Sequence, residues 1–353
     1  MPGRAPREPG GGPQHTTTTG RGICHADRID LLRRRHGRGP AVNAPIARRV
    51  AGAPISWGVC EVPGWGHQLA ADPVLRQMRE LGLAATEFGP DGFLPDAPED
   101  KAAVLSAHGL TAVGQFVPVV LHDPHHDPLP EVRAAIAGLV AAGAGTVVVA
   151  AATGADGYDD RPALGPQGWS VLLANLDRIC SAAAGAGLVA ALHPHVGTMI
   201  QTGEETQRVL DGSRIGLCLD TGHLIIGGGD PVAVAAERPD RIAHVHLKDV
   251  RLDLAARVRA GAMTYSEAVA EGMYVPLGAG DVDIATIVGR LEAAGYAGWY
   301  VLEQDTVLRA APGADGVADP VEDVRASLSH LLLLGEAYEH RPAGRAADAR
   351  STA

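Results

Sequence analysis

The chain has 353 residues, of which 46% are hydrophobic, a content that supports a sizeable core and excludes a largely disordered protein. Its net charge of −11 is uneven, because residues 1–50 carry +7 and residues 341–353 carry +2, which leaves −20 on residues 51–340. A body this acidic repels a phosphate backbone, so we expect no nucleic-acid binding by the main domain.

Cysteine usage and hydropathy indicate the compartment. The four cysteines form no CxxC pair, which fits a reducing cytoplasm better than a disulfide scaffold. No apolar run reaches the roughly 18 residues that span a bilayer, and residues 1–20 lack the apolar stretch of a secretory signal. The sequence therefore predicts a cytoplasmic protein without membrane contact.

Both ends of the chain differ in composition from the middle. Residues 1–50 are rich in Gly, Pro, Thr and Arg and show little apolar periodicity, which predicts a flexible, disordered basic tail. A nucleic-acid-binding arm is the alternative for this segment. Residues 341–353 predict a second flexible tail, so residues 51–340 form the single predicted domain.

Between the tails, short β-branched or apolar runs alternate with longer helical stretches. The predicted strands are residues 53–58, 84–89, 111–119, 145–151, 188–196, 215–220, 242–248 and 299–304. The predicted helices are residues 72–82, 99–109, 129–143, 167–187, 203–212, 230–239, 283–295 and 320–338. Eight such pairs joined by crossovers predict an α/β protein, a (β/α)8 TIM barrel.

A doubly wound open sheet is the alternative architecture. It would place a glycine-rich phosphate loop directly after the first strand, and PISWGVCEVPGWG (54–66) does not contain GxGxxG. The barrel is therefore the favoured prediction.

In a TIM barrel the functional side chains stand at the carboxyl ends of the strands. Polar residues occupy these ends on most predicted strands, in otherwise apolar runs. They are Glu87, Gln115, His193, His195, Asp220, His223, His244, His246, Lys248, Glu303 and Asp305. Burying so many polar groups around one barrel mouth is unfavourable unless they are paired or bind a metal.

The predicted metal ligands come one from each of four successive strands, and they are His193, Asp220, His246 and Glu303. Imidazole and carboxylate together suit zinc, manganese, cobalt or iron. Two carboxylates and two neutral imidazoles leave a divalent ion near neutrality, and such a site can polarise a ketone and hold the enolate formed when an α-proton leaves. For each histidine taken singly, the alternative is a buried side chain that serves only the core.

Lys248 is a second chemical signal, because the chain has 28 arginines and only one other lysine, Lys101. A desolvated lysine can lose its proton whereas an arginine cannot, so Lys248 could protonate a departing hydroxyl or steady an enolate oxygen. The alternative is an exposed lysine that pairs with Asp249. His223 could hold a substrate hydroxyl, or serve only the start of a helix.

Weaker signals surround these positions. Trp57 could give a sugar or cyclitol an apolar wall or only pack in the barrel, and Glu87 lies at the mouth of the second strand. Tyr158 is predicted to lie in a solvated loop. The long segment 250–281 predicts a lid over the site or an interface.

At these residues the sequence resembles the sugar isomerase/epimerase-like TIM barrels, the xylose-isomerase-like superfamily. The resemblance runs from about Pro54 to about Asp305 and is carried by LDTGH (219–223), HVHLKD (244–249) and LEQD (302–305). Within the superfamily, PISWG (54–58), TEFGPDGFLP (86–95), HPHVGT (193–198), HVHLKDVR (244–251) and VPLGAGDVD (275–283) are similar to the inosose dehydratase branch.

The resemblance implies a hydro-lyase that dehydrates 2-keto-myo-inositol, with manganese or cobalt, or else zinc or magnesium, bound by His193, Asp220, His246 and Glu303. It implies a base that removes the α-proton, an acid that assists loss of the β-hydroxyl, and a set of substrate contacts. The implied catalytic residues are Glu303, Lys248, His223 and His195, and the implied substrate-binding residues are Trp57, Glu87, Gln115 and Arg251.

Three other functions remain open. A metal-dependent ketose isomerase or epimerase would use the same enediolate chemistry, but His193 stands where these enzymes usually carry a second glutamate base. A nuclease of the endonuclease IV type would need several zinc ions and a basic face, which the acidic body argues against. A barrel that binds a small polyol without turnover is the third. A homo-oligomer is compatible with all of them.

Overall fold

The computed structural model describes residues 44–314 and 317–340. Its strands are β1 (Val50–Gly52), β2 (Ala85–Thr86), β3 (Thr111–Ala112), β4 (Phe116–Val120), β5 (Thr146–Ala152), β6 (Val189–Leu192), β7 (Gly216–Asp220), β8 (Ile242–Leu247), β9 (Asp249–Val250), β10 (Tyr274–Val275) and β11 (Tyr300–Leu302). Its α-helices are α1 (Ala71–Glu80), α2 (Pro98–Ala107), α3 (Leu129–Ala141), α4 (Pro166–Gly185), α5 (Gly203–Gly212), α6 (Thr221–Ile226), α7 (Pro231–Glu237), α8 (Leu252–Arg259), α9 (Tyr265–Ala270), α10 (Ile284–Ala293) and α11 (Val321–Glu339).

Nine parallel strands form one sheet in the order β3-β2-β1-β11-β8-β7-β6-β5-β4. The first and last strands of this order, β3 and β4, belong to one chain segment and are separated by three residues. Inside that gap Val113 donates a hydrogen bond to Thr86 and Gln115 accepts one from Val148, so the segment contacts both of its neighbours. The sheet therefore closes on itself, which confirms the predicted TIM barrel.

Strands and helices alternate because the strands are apolar on both faces. All but the last residue of β5 (TVVVAAA) are buried, since one face fills the barrel and the other packs under the helices. The helices bury only one stripe each, and α1 buries Val74, Leu75 and Met78 while its other face is exposed. Because both faces of the strands are apolar, the polar groups converge at the strand ends instead.

The start of the barrel differs from the prediction. The first strand is β1, not residues 53–58, because Pro54 has no N–H to donate to a ladder and begins a short 3-10 helix, Pro54–Trp57. Ile46 is buried in the core, and the Arg49 guanidinium donates a hydrogen bond to the Tyr296 carbonyl near the last strand of the barrel. The folded unit therefore begins before residue 51. The rest of the predicted N-terminal tail, and the C-terminal tail at 341–353, lie outside the described residues.

The segment between β8 and α10 is folded. It contains α8, α9 and the antiparallel pair of β9 and β10, in which Val250 pairs with Tyr274. We call residues 250–281 the β8–α10 insertion.

None of the helices within the described ranges is long and apolar enough to cross a membrane.

Arg49 ties the first strand to the end of the barrel. Its guanidinium donates to both carboxylate oxygens of Glu292, at 2.7 and 2.6 Å, and to the carbonyls of Ala44 and Tyr296 at 2.8 and 2.9 Å. The Tyr300 hydroxyl donates to the same carboxylate at 2.7 Å. The side chain of Arg49 is only 3% exposed, so this contact is shielded from water.

We expect Arg49→Ala to lower the free energy of unfolding by about 3–5 kcal/mol, because it leaves the Glu292 carboxylate enclosed and without its cation. Chemical denaturation of both proteins measures the difference. Arg76→Ala is the matched control, since the Arg76–Asp72 pair is exposed and should contribute less than about 1 kcal/mol. Equal losses in the two variants would contradict the structural role of Arg49.

Candidate metal centre and active-site cavity

Four neighbouring strands bring the predicted metal ligands to the carboxyl end of the barrel. His193 follows β6 directly, Asp220 is the last residue of β7, His246 lies in β8, and Glu303 follows β11. These strands are consecutive in the sheet, so residues 110 positions apart in the chain become neighbours in space.

A register shift between β7 and β8 decides which side chains meet. Before the shift Leu217 pairs with Ile242, and after it Asp220 pairs with His246, so β7 advances three residues while β8 advances four. β8 therefore carries one extra residue, a β-bulge. Beyond the bulge, the inward positions of β8 are the ones that carry histidine.

The four predicted ligands converge. Asp220 Oδ2 lies 3.2 Å from His193 Nε2 and 3.6 Å from His246 Nδ1, and Glu303 Oε2 lies 2.8 Å from the same His246 nitrogen. These four atoms are close, yet none of them has a hydrogen bond of good geometry. Buried polar atoms without a partner are rare in proteins and point to an ion or water.

The donor set fits a divalent cation. Ligand atoms that share one ion at roughly 2.0–2.2 Å are separated by about 3 Å, which is the spacing in this cluster. Asp220, His246 and Glu303 form one compact group of potential ligand atoms, and His193 joins Asp220 in a second that overlaps it. We call these four residues the metal cluster.

Charge in the barrel mouth also favours a cation. Glu87, Asp220, Glu303 and Asp305 are enclosed there. Among the described residues, Lys248 is the lysine or arginine that forms ion pairs with the last three, and Glu87 contacts only histidines. Burial opposes ionisation of Glu303, but the positive charges of His246 and Lys248 outweigh it and lower the pKa of Glu303 to about 2. The carboxylate is therefore anionic at neutral pH.

Glu87 orients the imidazole of His246. Its Oε1 lies 2.8 Å from Nε2 of His244 and 3.1 Å from Nε2 of His246, and a carboxylate can only accept, so both Nε2 atoms donate. The assigned tautomer leaves Nδ1 of His246 facing Asp220 and Glu303. Two carboxylates around one ring nitrogen require either a proton or a metal ion on that nitrogen.

Lys248 holds a fixed positive charge beside the metal cluster. Its Nζ lies 2.9 Å from Glu303 Oε1 and 3.2 Å from His223 Nε2, and it donates a hydrogen bond to Asp305 Oδ1. Burial disfavours the ammonium, but Asp305 and Glu303 outweigh this and raise the pKa of Lys248 well above its ordinary value. The two carboxylates therefore favour the charged form of Lys248, and its role as an acid stays a prediction.

The alternative for Lys248, an exposed side chain paired with Asp249, is wrong. Asp249 is buried and its carboxylate accepts hydrogen bonds from the backbone N–H groups of Gly278, Gly280 and Val282 at 2.8, 3.1 and 3.0 Å. Asp249 therefore shapes the end of the β8–α10 insertion, and its neighbour faces the barrel interior.

His195 and His223 stack with ring centroids 3.7 Å apart. Nδ1 of His195 lies 2.7 Å from the carbonyl oxygen of Val196 and donates to it, so Nε2 of His195 is left as an acceptor. Nδ1 of His223 lies 3.3 Å from the Val196 amide and Nε2 lies 3.2 Å from the Lys248 ammonium, so two donors face the one lone pair of a neutral imidazole. Burial lowers the pKa of both imidazoles well below the usual value, and both are neutral.

A cavity of about 780 Å³ opens at this end of the barrel. The predicted site residues that line it are Glu87, His193, His195 and Glu303, together with Asp305. Aromatic side chains form much of the remaining wall, and they are Trp65, Phe116, Tyr158 and Tyr265. Polar and charged groups therefore converge on one side of an aromatic wall, in a cavity whose volume is in the range of small-molecule sites.

Several predicted contacts do not reach this cavity. Trp57 is fully buried and donates its indole N–H to Gln77 at 2.7 Å, which agrees with the packing alternative for this residue, and the tryptophan of the cavity wall is Trp65. The prediction for Arg251 is wrong, because its exposed guanidinium pairs with Asp253 at 3.1 Å.

Three other predicted residues stand behind the cavity wall. Lys248 and His223 are fully enclosed and are not among the residues that line the cavity. Gln115 is buried too, with its amide nitrogen 3.5 Å from an Asp91 carboxylate oxygen, so a direct substrate contact by Gln115 is not supported.

Tyr158, predicted to be only solvated, is part of the wall. Its ring lies 4.3 Å from that of His195, and its hydroxyl donates to Glu61. The loop sits against Gly197, which has φ +79, and a Cβ on this glycine would lie 2.2 Å from the Tyr158 carbonyl oxygen. Only the glycine in HPHVGT hints at this close approach, and a single sequence does not reveal its partner.

Comparisons with known proteins agree with this architecture. The family model described as "Xylose isomerase-like TIM barrel" matches residues 75–332. The chain belongs to the xylose isomerase-like TIM barrel family.

Two curated relatives cover most of the chain. The rhizopine catabolism protein MocC of Rhizobium meliloti is 32% identical over 272 residues, which span 74% of this chain and 83% of the relative. The inosose dehydratase of Geobacillus kaustophilus is 32% identical over 270 residues, 73% of this chain and 87% of the relative.

Solved structures share the fold at lower identity. The crystal structure of the IOLI protein with a binding zinc atom superimposes with a TM-score of 0.61 at 13% identity, covering 82% of this chain and 99% of its own. An L-ribulose 3-epimerase superimposes with a TM-score of 0.60 at 17% identity, covering 83% of this chain and 96% of its own.

We expect Glu87→Gln to weaken divalent-metal binding by about 10- to 100-fold, because a neutral amide oxygen accepts from the two imidazoles more weakly than the carboxylate does and holds His246 less firmly in its orientation. Competition with a chromogenic chelator measures the affinity. Asp96→Asn removes a charge from the same cavity without touching a histidine and should leave the affinity within about threefold. Equal behaviour of the two variants would refute the orienting role of Glu87.

Proposed function

We propose that the protein is a metal-dependent hydro-lyase that dehydrates a keto-cyclitol of the 2-keto-myo-inositol type. One observation carries this proposal. Four buried side-chain atoms that could bind a metal, and that have no hydrogen-bonding partner, converge beside a cavity of small-molecule size; they belong to His193, Asp220, His246 and Glu303. The curated relatives named inosose dehydratase support the substrate class, since they match about three quarters of the chain.

The metal cluster would hold the ion through two imidazole nitrogens and two carboxylate oxygens. This mixed donor set suits manganese, cobalt or zinc better than magnesium, which prefers oxygen ligands. When bound, such an ion polarises a ketone and stabilises the negative charge that develops on its oxygen as the adjacent carbon loses a proton. The zinc atom bound by the IOLI protein, which shares the fold, supports a divalent ion of this kind.

The protein groups around the cavity supply the proton transfers of a dehydration. The carbon–hydrogen bond next to the ketone breaks and its proton goes to a base, and the electron pair left behind forms the carbon–carbon double bond as the β-carbon–oxygen bond breaks. The departing hydroxyl takes the proton from the base and leaves as water, so the base ends as it began. Nε2 of His195 is suited to the first task, because Nδ1–H is held by the Val196 carbonyl and Nε2 has a free lone pair at the cavity. Glu303 is the other base within reach.

Lys248 and His223 act from behind the cavity wall. The Lys248 ammonium contacts Glu303 on one side and Asp305 on the other, and both carboxylates line the cavity. In this proposal Lys248 sets the position and charge of these two carboxylates, and His223 supports the His195 ring by stacking against it. Their effect on catalysis is then exerted through their neighbours.

Epimerisation of a ketose is the second candidate, because the L-ribulose 3-epimerase shares the fold. It would return the proton to carbon and keep every hydroxyl. The presence of His193 in the metal cluster, where these enzymes usually carry a second glutamate base, favours dehydration over a two-base epimerisation.

Metal analysis followed by an assay on 2-keto-myo-inositol tests the proposal. We expect about one divalent ion per chain, loss of activity on chelation, and an ultraviolet absorbance that rises as the conjugated dione forms. A metal-loaded protein that leaves 2-keto-myo-inositol unchanged but epimerises ketoses would establish the second candidate instead.

We expect Lys248→Arg to keep its metal and lose turnover by about 100-fold or more, because a guanidinium cannot reproduce the ammonium contacts with Glu303 and Asp305 in a fully enclosed site. Steady-state kinetics and metal content measure the two effects separately. Lys101→Arg is the matched control, since it changes the chain's other lysine, which lies against the Phe88 ring and forms no ion pair with the carboxylates around Lys248. Full activity in Lys248→Arg would disprove the role given to this lysine.

A further inference from the structure

A chain of hydrogen bonds runs from the β8–α10 insertion into the barrel mouth. Tyr265 donates its hydroxyl proton to Asp305 Oδ2, while Lys248 donates to the other oxygen of the same carboxylate. The hydroxyl of Tyr274 lies 3.1 Å from that of Tyr265. Since Tyr265 has one proton and gives it to Asp305, Tyr274 donates to Tyr265 and the chain has one direction.

The insertion is built to present these two tyrosines. Tyr265 is the first residue of α9, whose start is fixed by reciprocal hydrogen bonds between Thr264 and Glu267 at 3.2 and 2.9 Å. Tyr274 lies in β10, which pairs with β9 directly after Lys248. The loop after β5 adds a brace, because Asp159 accepts a hydrogen bond from the Ser266 amide at 3.0 Å.

The side chains of this hydrogen-bond chain are closely packed against the start of α6. A Cβ added to Gly222 would lie 2.8 Å from the Cβ of Lys248 and 2.9 Å from the Tyr274 ring. Tyr265 is 2% exposed and Lys248 is 1% exposed. In such a largely buried network, an oxygen that loses its protein donor recovers only part of the lost interaction.

The network reaches the metal cluster through Lys248. Its ammonium is shared between Asp305 and Glu303 Oε1, and the other oxygen of Glu303 is the one without a hydrogen-bonding partner beside His246. Because the ammonium contacts both carboxylates, a shift of Asp305 would move the ammonium and change its contact with Glu303. The Tyr265 hydroxyl is what fixes the second oxygen of Asp305.

We propose that Tyr265 is a positioning residue that, through Asp305 and Lys248, sets the orientation of Glu303 at the metal cluster. The β8–α10 insertion is then a working part of the active site rather than only a cover. This inference rests on the proposed function for its kinetic consequence, but its structural consequence, a displaced Lys248 ammonium, does not require turnover.

Tyr265→Phe tests the kinetic consequence. We expect the variant to fold and bind metal, with kcat lowered by about 10- to 100-fold and KM changed by less than about threefold, because the other three residues of the metal cluster and most of the cavity wall remain while Glu303 loses its alignment. Tyr296→Phe is the matched control, since that hydroxyl donates to the Trp299 carbonyl at 2.9 Å before β11 and should leave kcat unchanged.

A double-variant cycle tests the route. If Tyr265 acts through Asp305, Tyr265→Phe combined with Asp305→Asn should be no slower than Asp305→Asn alone, within about twofold. Effects that multiply, or a wild-type kcat in Tyr265→Phe, would overturn the proposal.

The two lysines of the chain allow a test that needs no substrate. In protein grown with isotope-labelled lysine, the side-chain NMR signals belong to Lys101 and Lys248, and Lys248→Arg identifies one by its loss. Tyr265→Phe should shift the Lys248 signals and leave those of Lys101 in place; unchanged Lys248 signals would overturn the proposal. If the wild-type protein does not convert 2-keto-myo-inositol, the proposed function fails, and the lysine spectra still decide the role of Tyr265.

Discussion

The arrangement at the barrel mouth depends on the balance of enclosed negative charge. Several carboxylates that face one another away from water repel strongly unless cations stand between them. The Lys248 ammonium supplies positive charge on one side of these carboxylates, and a divalent ion held by the metal cluster would supply it on the other. Glu303 belongs to both, with one oxygen on the lysine and the other beside His246. Its position links the two halves of the site.

The fold and the outline of the site could be predicted from local patterns. Runs such as TVVVAA signal strands that are covered on both faces, and polar residues that interrupt such runs at their ends signal a barrel mouth. Because His193, Asp220, His246 and Glu303 each sit at such an interruption, their proximity follows once the barrel is assumed. The prediction misplaces the first strand because it rests on the apolar character of residues 53–58 and takes no account of the N–H that Pro54 lacks.

The finer arrangement depends on contacts that no local pattern encodes. The hydrogen bonds that Glu87 accepts from two histidines of β8 join residues over 150 positions apart, and Trp65 replaces Trp57 in the wall because of a loop that turns after the 3-10 helix. The charge state of Lys248 illustrates the same limit. Its neighbours along the chain suggest desolvation, whereas Asp305, which arrives from another strand, keeps it cationic.

The bulge between β7 and β8 has a consequence for how such proteins diverge. Side chains of a strand alternate in direction, so one extra or missing residue in β8 would exchange its histidines for the apolar residues that now face the helices. The loss or gain of this one residue would leave the hydrophobicity, the strand lengths and the overall architecture nearly the same. A related protein that lost one residue of β8 would therefore keep the barrel and lose the histidines of the site. The number of residues between Leu217 and His246 would show this loss, whereas overall sequence similarity would hardly change.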